Sequence, residues 1–278
     1  MSQYHPPASS VKIDSAARMD YKGQVRYLAA VKSRRGTAGR APAVTAPGKR
    51  AQAERTRAQI LQAAERRFAI LGFADTRLED VGEEVGIGRS AVLYHFRDKR
   101  QLYRAVLDDV FGGFIDAVRG PLIGAGALPE RIEAAVTASI DYGSRRPTAA
   151  HIALREAATT NSEFRDRIRR RTGPAMKLLQ GMFDKGRRTG VLDPIRSDAF
   201  HFVSVIAGAT MFYIAALPTF TSDLPYDPLA PEQFEAHKRD VLQIARRLLG
   251  IGGPRLLRRT QSRKANKSQR RARISSTR

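Results

Sequence analysis

The sequence predicts an all-α fold in two parts, a small three-helix unit followed by a larger helical domain. Apolar residues recur at helical spacing along most of the chain, and no stretch shows the period-two alternation of a half-buried strand. The stretch 76–99, TRLEDVGEEVGIGRSAVLYHFRDK, reads as two short helices around a glycine turn. The 278 residues, 42% of them hydrophobic, suffice for two modest domains with real cores.

The residue types that carry most catalytic and metal chemistry are absent or scattered. The chain has no cysteine, which excludes disulfides, thiolate metal sites and thiol nucleophiles. Its five histidines show neither H-x-x-x-H nor H-E-x-x-H spacing, and the G-x-G at 124–126 stands alone. We therefore expect no enzyme activity, no cofactor and no metal site.

Nothing in the sequence predicts contact with a membrane. No apolar run reaches the roughly 18 residues that span a bilayer. The N-terminus also lacks an apolar segment of the signal-peptide type. We therefore expect a cytoplasmic protein.

The net charge of +22 lies mostly in the two ends of the chain. Residues 1–50 carry 10 Lys or Arg and 2 acids, which gives +8, and residues 254–278 carry 10 and none, which gives +10. The composition of 1–50 predicts a disordered basic extension, with one short helix near 15–32, and 254–278 predicts a disordered basic tail. Basic arms favour polyanions such as nucleic acid, and the alternative is a pair of solvated tails without a specific role.

The stretch 76–99 predicts a helix-turn-helix. Thr76 and Glu79 have the spacing of a capping box at the start of the first short helix. Gly86 stands where that helix must stop, and glycine accepts the left-handed conformation of such a stop. A second helix follows over 88–94, and Asp98 caps the next one. In this motif the second helix enters the DNA major groove.

One helix is predicted on each side of this motif. Residues 49–71 place Ile60, Ala64 and Phe68 on one face, and Gly72 ends that helix. Residues 99–118 form a longer helix whose apolar residues recur every four positions, until Gly120 and Pro121 end it.

Side-chain types suggest how the unit at 51–98 reads DNA. Arg89, at the start of the second helix, can bond guanine O6 and N7, Ser90 can donate or accept, and Ala91 can touch a thymine methyl. The remaining candidates are phosphate contacts, and for each the alternative is an ordinary packed or solvated side chain: Arg57, Thr76, Tyr94, His95 and Lys99.

This arrangement resembles the TetR family of transcriptional regulators. The family pattern R-x-x-I-L-x-A-A-x-x-x-F-x-x-x-G-F is matched by residues 57–73, and later matches are Thr76, Asp80, Val81, Gly86, Ile87, His95, Phe96 and Lys99. Two positions depart from the pattern. Gly88 replaces the serine that caps the second helix, and Leu93 replaces a tyrosine whose hydroxyl can donate to phosphate, while Tyr94 keeps an aromatic ring at the next position.

Residues 99–253 are predicted to form a helical ligand-binding and dimerisation domain. Beyond the first helix, the segments predicted are 129–145, 148–159, 161–188, 197–217 and 231–249, and Pro174 should kink or divide the third of these. Residues 197–217 are apolar on all sides, which requires burial on more than one side. The resemblance implies that the last two helices form a four-helix dimer interface, and the alternative is a core pair within a monomer.

A ligand pocket is expected among the helices between residues 99 and 215. Its apolar balance favours an apolar or aromatic small molecule, and Arg155 and Glu156 either orient a polar group of that ligand or lie at the surface. The candidate lining residues, each of which is alternatively ordinary core, are Phe111, Phe114, His151, Met176, Phe183, Phe202 and Met211.

The sequence as a whole predicts a homodimeric transcriptional regulator, most simply a ligand-released repressor on a palindromic operator. The expected mechanism is that a ligand moves the 99–118 helix and changes the spacing of the two recognition helices. The alternative is an architectural, nucleoid-type protein of low sequence specificity whose tails supply the affinity.

Overall fold

The computed structural model describes residues 48–159 and 164–251, and it is all-α over those ranges, without strands. The chain divides into two units, Met1–Ala51 and Gln52–Arg278, so that only 48–51 of the first are described. The predicted extension up to residue 47, its short helix at 15–32 and the tail 254–278 therefore lie outside the described residues. The helices are α1 Lys49–Asp75, α2 Leu78–Val85, α3 Arg89–His95, α4 Lys99–Ile123, α5 Leu128–Arg145, α6 Pro147–Ala158, α7 Arg165–Thr189, α8 Ala199–Ala215, α9 Leu217–Phe220 and α10 Pro231–Leu248.

Helix α1 breaks at the predicted glycine. Gly72 has φ 80°, a left-handed value that interrupts the regular helix after Leu71. The Thr76 hydroxyl donates to the Gly72 carbonyl over 2.7 Å, and Thr76 is only 1% exposed. The predicted Thr76 capping box is therefore wrong: Arg77 precedes α2, and within the described residues its side chain makes no capping bond. The break at Gly72 leaves the Gly72 carbonyl available, and this carbonyl accepts the hydrogen bond of the Thr76 hydroxyl in place of the predicted capping contact.

The turn between α2 and α3 follows the prediction. Gly86 adopts the left-handed conformation with φ 78°, and Gly88 precedes α3 in an extended conformation. Gly82 allows the close approach of α2 to this turn, because a Cβ on it would lie 2.6 Å from the Ile87 carbonyl oxygen. Phe68, Val81, Val92 and other apolar side chains of α1 to α3 form a buried core. The three-helix unit (α1–α3) thus holds α3 at the surface.

Helix α4 begins as predicted and ends later. The Asp98 carboxylate accepts from the Gln101 backbone N–H over 2.6 Å, which confirms the cap and, with burial opposing it, lowers the pKa of Asp98. The predicted end at Gly120 and Pro121 is wrong, because α4 runs to Ile123 with Pro121 inside it. A proline in the last turn removes one backbone donor, and burial of Leu122, which is 3% exposed, favours continuing the helix.

Helix α4 contributes to two hydrophobic cores. Leu102 and Val106 pack with the three-helix unit, whereas Val118 and Leu122 pack with α5, α7, α8 and α10. The helix therefore connects the part of the chain that carries α3 with the helical domain behind it. The limits 51–98 and 99–253 remain predictions.

The helices after α4 lie close to their predicted positions, with two differences. Pro174 does not divide α7, which is one helix from Arg165 to Thr189. Pro174 itself is exposed, so the lost backbone bond faces solvent, while Leu179 and Met182 on the other side are buried. The second difference is the short helix α9, Leu217–Phe220, which extends into the predicted loop.

Helix α8 is apolar on two faces, of which one is buried. Phe202, Ile206 and Ile214 are at most 5% exposed, whereas Phe200 is 66% and Phe212 52% exposed. Ser204 and Gly208 lie between the two exposed phenylalanines at four-residue steps and are exposed too. We call this row, Phe200, Ser204, Gly208 and Phe212, the α8 stripe.

Candidate DNA interface and ligand cavity

Helix α3 presents most of the predicted DNA contacts to solvent. Arg89, Ser90 and Tyr94 are exposed, Tyr94 to 84%, while Ala91 and His95 are partly exposed and Val92 is buried. The Arg89 Nε lies 3.2 Å from the Glu79 Oε1 of α2. Both side chains are more than half exposed, so the pair costs little to break. Glu79 therefore holds Arg89 near the start of α3 without sequestering it.

An open groove of about 770 Å³ runs between the start of α2 and the starts of α3 and α4. Four cationic side chains line it: Arg77, Arg89, Arg97 and Lys99. Arg77 and Arg97 were not among the predicted contacts, although Arg97 is 89% exposed and pairs only loosely with Asp98 at 3.6 Å. Arg77 and Arg97 each lie next to the start of a helix, where backbone N–H groups favour a phosphate. Their position beside a helix start is the sequence signal that identifies them as candidates.

Lys99 and Arg57 have structural contacts besides any role on DNA. The Lys99 ammonium donates to the carbonyls of Ala74 at 2.9 Å and Thr76 at 3.1 Å, and lies 4.9 Å from the Phe73 ring centre. The Arg57 guanidinium stacks over the Phe96 ring at 4.7 Å. Both cations stabilise the three-helix unit. The Thr76 hydroxyl is buried and bonded, so we leave Thr76 out of the proposed interface.

A cavity of about 390 Å³, the central cavity, lies among α4, α5, α6, α7 and α8. Its size falls in the usual range of ligand sites, about 300–1,000 Å³. Most of its lining is aliphatic or aromatic, with the hydroxyls of Ser139, Tyr142, Thr172 and Thr210 as the polar groups. The predicted lining residues that the structure brings together here are Phe111, Phe114, Met176, Phe202 and Met211.

Two predicted lining residues, His151 and Phe183, lie elsewhere. Helix α6 turns Ala149, Ala150 and Ala153 toward the cavity, which places His151 off that face. The His151 Nδ1 lies 3.0 Å from the Pro147 carbonyl, and burial lowers the pKa of its imidazole. Phe183 is 1% exposed and packs edge-on against the Phe202 ring at 5.4 Å, behind the cavity wall.

Tyr142 connects the cavity lining with α4 and with a buried ion pair. Its hydroxyl donates to the Val110 carbonyl of α4 over 2.8 Å and accepts from Arg146 over 3.1 Å. Burial raises the pKa of the Tyr142 phenol, which stays neutral at physiological pH. The cavity wall is thus bonded directly to the helix that joins the two parts of the molecule.

Arg146 ties the end of α5 to the three-helix unit. Its guanidinium donates from Nε and Nη2 to both oxygens of Glu65 in α1, over 2.7 and 2.6 Å. It also pairs with Asp109 of α4, and the Thr148 hydroxyl donates to Glu65 over 2.5 Å. Burial alone would lower the pKa of Arg146, and the bonds to the two carboxylates raise it instead. The carboxylate of Glu65, 8% exposed, is therefore held by a bidentate partner.

Helix α6 makes a second set of bonds, to α1 and to α4. Arg155 donates to the Ile70 carbonyl over 3.0 Å, beside the break in α1. Glu156 accepts from the Tyr103 hydroxyl over 2.6 Å, and burial together with this bond raises the pKa of Tyr103. Arg155 is exposed, as the surface alternative has it, and Glu156 is partly exposed; neither lines the central cavity, and both side chains bind the N-terminal half of the molecule.

Within residues 48–159 and 164–251 no group of His, Asp or Glu has the geometry to hold a metal ion. Over the same ranges no helix combines the length and apolar character needed to cross a bilayer.

Both halves of the chain match models of one protein family. Residues 60–106 match the model described as bacterial regulatory proteins, tetR family, and residues 129–244 match tetracyclin repressor-like, C-terminal domain. The HTH-type transcriptional regulator TtgR of Pseudomonas putida is 46% identical over 59 residues, 21% of this chain and 28% of TtgR. The chain thus spans less than a third of the length of that relative.

A longer match is found with the HTH-type transcriptional regulator RutR of Escherichia coli (strain K12). It is 30% identical over 183 residues, 63% of this chain and 82% of RutR. The solved structure of AibR, in complex with isovaleryl coenzyme A and operator DNA, shares the fold with a TM-score of 0.56 and 18% identity, over 68% of this chain and 97% of that one. The helix-turn-helix of α2 and α3, the cavity domain behind it and these matches show that the chain belongs to the TetR family of transcriptional regulators.

Proposed function

We propose that this protein is a ligand-released repressor that binds a palindromic operator as a homodimer. Residues 51–98 form the DNA-binding domain in this proposal, and residues 99–253 form the ligand-binding and dimerisation domain. It acts in the cytoplasm and has no catalytic role. The observation that carries the proposal is the connection from the central cavity, through Tyr142 and Arg146, to Glu65 of the three-helix unit.

The DNA-binding part of the proposal rests on the groove and the exposed face of α3. Arg89 is placed at the start of α3, where it can take both acceptors of a guanine. Arg77, Arg97 and Lys99 line the adjoining groove and suit phosphate oxygens, which fix register without reading sequence. Ser90, Ala91, Tyr94 and His95 complete the proposed surface.

The dimer part rests on the α8 stripe. Two exposed phenylalanines flank Ser204 and Gly208, and a Cβ on Gly208 would meet no atom within 4 Å. Ile244 of α10 is exposed as well, at 41%. An apolar row with small residues at its centre favours close packing against a second copy of the same helix. A two-fold pair then presents two α3 helices to the two half-sites of a palindrome.

The release part rests on Tyr142. A ligand in the central cavity contacts α4 directly through Phe111 and Phe114, and displaces Tyr142 from the Val110 carbonyl. Arg146 then loses one of its partners, and Glu65 moves with it. A shift of a few ångström between the two α3 helices spoils both half-sites at once, since their separation must match the DNA turn. The apolar lining favours an apolar or aromatic effector.

The decisive experiment is selection of the preferred duplex from random DNA, followed by footprinting. We expect a discrete palindromic footprint. Arg89→Ala should then cost about 1–3 kcal/mol on the selected site and relax preference at one base pair per half-site. Arg97→Ala is the matched control, because a phosphate contact should weaken all sequences alike and reduce the salt slope by about 1. Equal losses on all sequences for Arg89→Ala would show that Arg89 contacts only phosphate.

An architectural, nucleoid-type role is the second candidate, favoured by the charge of the two ends. Residues 1–50 and 254–278 carry +8 and +10. If that role holds, the protein coats DNA uniformly, and removal of 254–278 abolishes binding. A palindromic footprint that survives this removal supports the repressor instead.

A further inference from the structure

The central cavity has an uncharged lining. Among the residues that the structure describes, its wall contains no Lys, Arg, His, Asp or Glu. Its one ionisable side chain is Tyr142, and burial raises the pKa of that phenol, so it carries no charge at physiological pH. A charged group brought into such a space loses its hydration without gaining a counter-ion, which is strongly unfavourable.

The guanidinium that is bonded to Tyr142 of the cavity wall is already engaged. Arg146 donates to the hydroxyl of Tyr142 behind the cavity wall, and it is bound on its other side by Glu65 and Asp109. An anionic ligand would have to withdraw Arg146 from two carboxylates, one of them buried. The arrangement therefore discriminates against anions as well as cations.

Three of the four hydroxyls in the lining donate within the protein. Ser139 donates to the Val136 carbonyl over 2.7 Å, Thr172 to Ile168 over 3.1 Å, and Tyr142 to Val110 over 2.8 Å. These donors need nothing from a ligand. These three hydroxyls therefore add little polarity to a wall that is otherwise apolar.

Thr210 is the exception. It lies on the buried side of α8 and is 7% exposed, and its hydroxyl oxygen is buried without a hydrogen-bond partner in the described part of the chain. An unsatisfied buried hydroxyl is uncommon in folded proteins. Thr210 also belongs to the cavity lining, so a bound molecule is the natural partner for its proton.

We propose that the effector is an uncharged molecule with a hydrocarbon body and one hydrogen-bond acceptor, such as a ketone or ester oxygen, that takes the hydroxyl of Thr210. This inference rests on the proposed function in assigning the cavity to an effector. It goes beyond that function because it names the chemical class of the effector and the residue that selects this class. Thr210 distinguishes a carbonyl compound from a hydrocarbon of the same shape, while the uncharged wall excludes the corresponding acid.

The test is direct binding to the full-length protein without DNA, by displacement of the neutral dye Nile red. The probes share one carbon skeleton: the isomeric phenylbutanones, butylbenzene and 4-phenylbutanoate. We expect the best ketone to bind about threefold to tenfold more tightly than butylbenzene, the range of one net hydrogen bond. The carboxylate should bind at least about tenfold more weakly than that ketone.

Three variants test whether the Thr210 hydroxyl is the source of the selectivity for the ketone. Thr210→Val keeps the side-chain shape and should abolish the advantage of the ketone while leaving butylbenzene binding unchanged. Thr210→Ser keeps the hydroxyl and should retain the advantage. Thr172→Val is the matched control, because it removes a lining hydroxyl that already donates within α7, and it should leave the ketone advantage intact.

Two outcomes overturn the inference: a carboxylate that binds as tightly as the ketone, and a ketone advantage that survives Thr210→Val. Failure of every neutral probe to displace the dye at millimolar concentration overturns it as well. The proposed function is judged separately by operator binding. If the ketones bind as expected and leave operator affinity unchanged, the ligand class stands and the release mechanism fails.

Discussion

At the scale of single residues, Arg146 joins three distant parts of the fold. Its guanidinium joins Glu65 of α1, Asp109 of α4 and Tyr142 of α5, which are up to 81 residues away in sequence. Removing one partner of a buried pair leaves the other without compensation, and that cost exceeds what the pair itself contributes.

We therefore expect Arg146→Met to lower the free energy of unfolding by about 2–4 kcal/mol, since Glu65 keeps a carboxylate that is largely buried. Urea denaturation measures this loss. The matched control is Arg246→Met, whose pair with Glu133 has the arginine 57% exposed. An exposed pair contributes less than about 1 kcal/mol. Equal losses in the two variants would mean that Arg146 is no more important than a surface ion pair.

Residue roles were predictable where they depend on near neighbours. The left-handed Gly86 and the Asp98 cap each follow from three or four consecutive residues, and the structure has both. The Thr76 cap failed because Gly72 offered a competing carbonyl. The contact of Lys99 with Thr76 connects residues 23 positions apart, and that of Arg146 with Glu65 connects residues 81 apart; no local pattern encodes such a meeting.

At the scale of helices, α7 offers a direct comparison of a packed and an open face. A Cβ on Gly186 would lie 2.5 Å from Cγ and Cδ1 of Leu192, whereas one on Gly181 would meet no atom within 4 Å. Leu192 is 2% exposed, and its N–H donates to the Gly186 carbonyl over 3.1 Å, so it has little room to move.

Gly186→Ala should therefore destabilise the protein by about 1–3 kcal/mol through overpacking. Gly181→Ala on the same helix should instead stabilise it by about 0.5–1 kcal/mol, because alanine restricts the unfolded chain and nothing opposes its methyl group. Thermal unfolding of the two variants beside the parent measures both. A gain in both would show that Leu192 yields to the added methyl.

Helix positions were predicted well and helix ends less so, for one physical reason. Periodicity locates the buried face of each helix. Whether the helix continues past a proline depends on one lost backbone hydrogen bond and on the burial of the side chains that follow. At Pro121 and Pro174 burial prevails, and α4 and α7 continue through them. The sequence alone shows which backbone hydrogen bond a proline removes, but it does not show the packing that compensates for the loss.

At the scale of the whole molecule, the α8 stripe is the basis of the proposed dimer. Phe212→Lys places a cation in the α8 stripe. In the proposed two-fold dimer this apolar row faces the same row of the second copy. We expect the dimer to dissociate at concentrations at least about tenfold higher than for the parent, as read by sedimentation velocity.

Ile195→Lys serves as the control for this variant. Ile195 is 68% exposed and lies before α8, outside the stripe, so its charge should leave the sedimentation unchanged. Dissociation by Ile195→Lys alone would place the interface elsewhere.

The two functional regions differed in how far the sequence revealed them. The candidate DNA-binding surface is contiguous over 76–99, so motif spacing can single it out, and its contacts with DNA stay predictions. Arg77 and Arg97 are recognisable only from the groove that they line. The cavity draws on five helices, and five of the seven candidate lining residues lie in its wall because large apolar side chains on inward faces meet at the centre of a bundle. That they contact a ligand stays a prediction. His151 and Phe183 were misplaced because the rotation of α6 and α7 about their axes is set by neighbours.

Tyr142 has a consequence for how such a regulator acquires new ligands. The same phenol forms part of the cavity wall and holds both Val110 and Arg146. In the proposed release mechanism, a substitution of Tyr142 would alter both the fit of the ligand and the response to the ligand. These two roles together limit which substitutions of Tyr142 are tolerated. Ser139 and Thr172 bond only within their own helices. Variation among descendants of this protein should therefore accumulate at those two positions without silencing the signal.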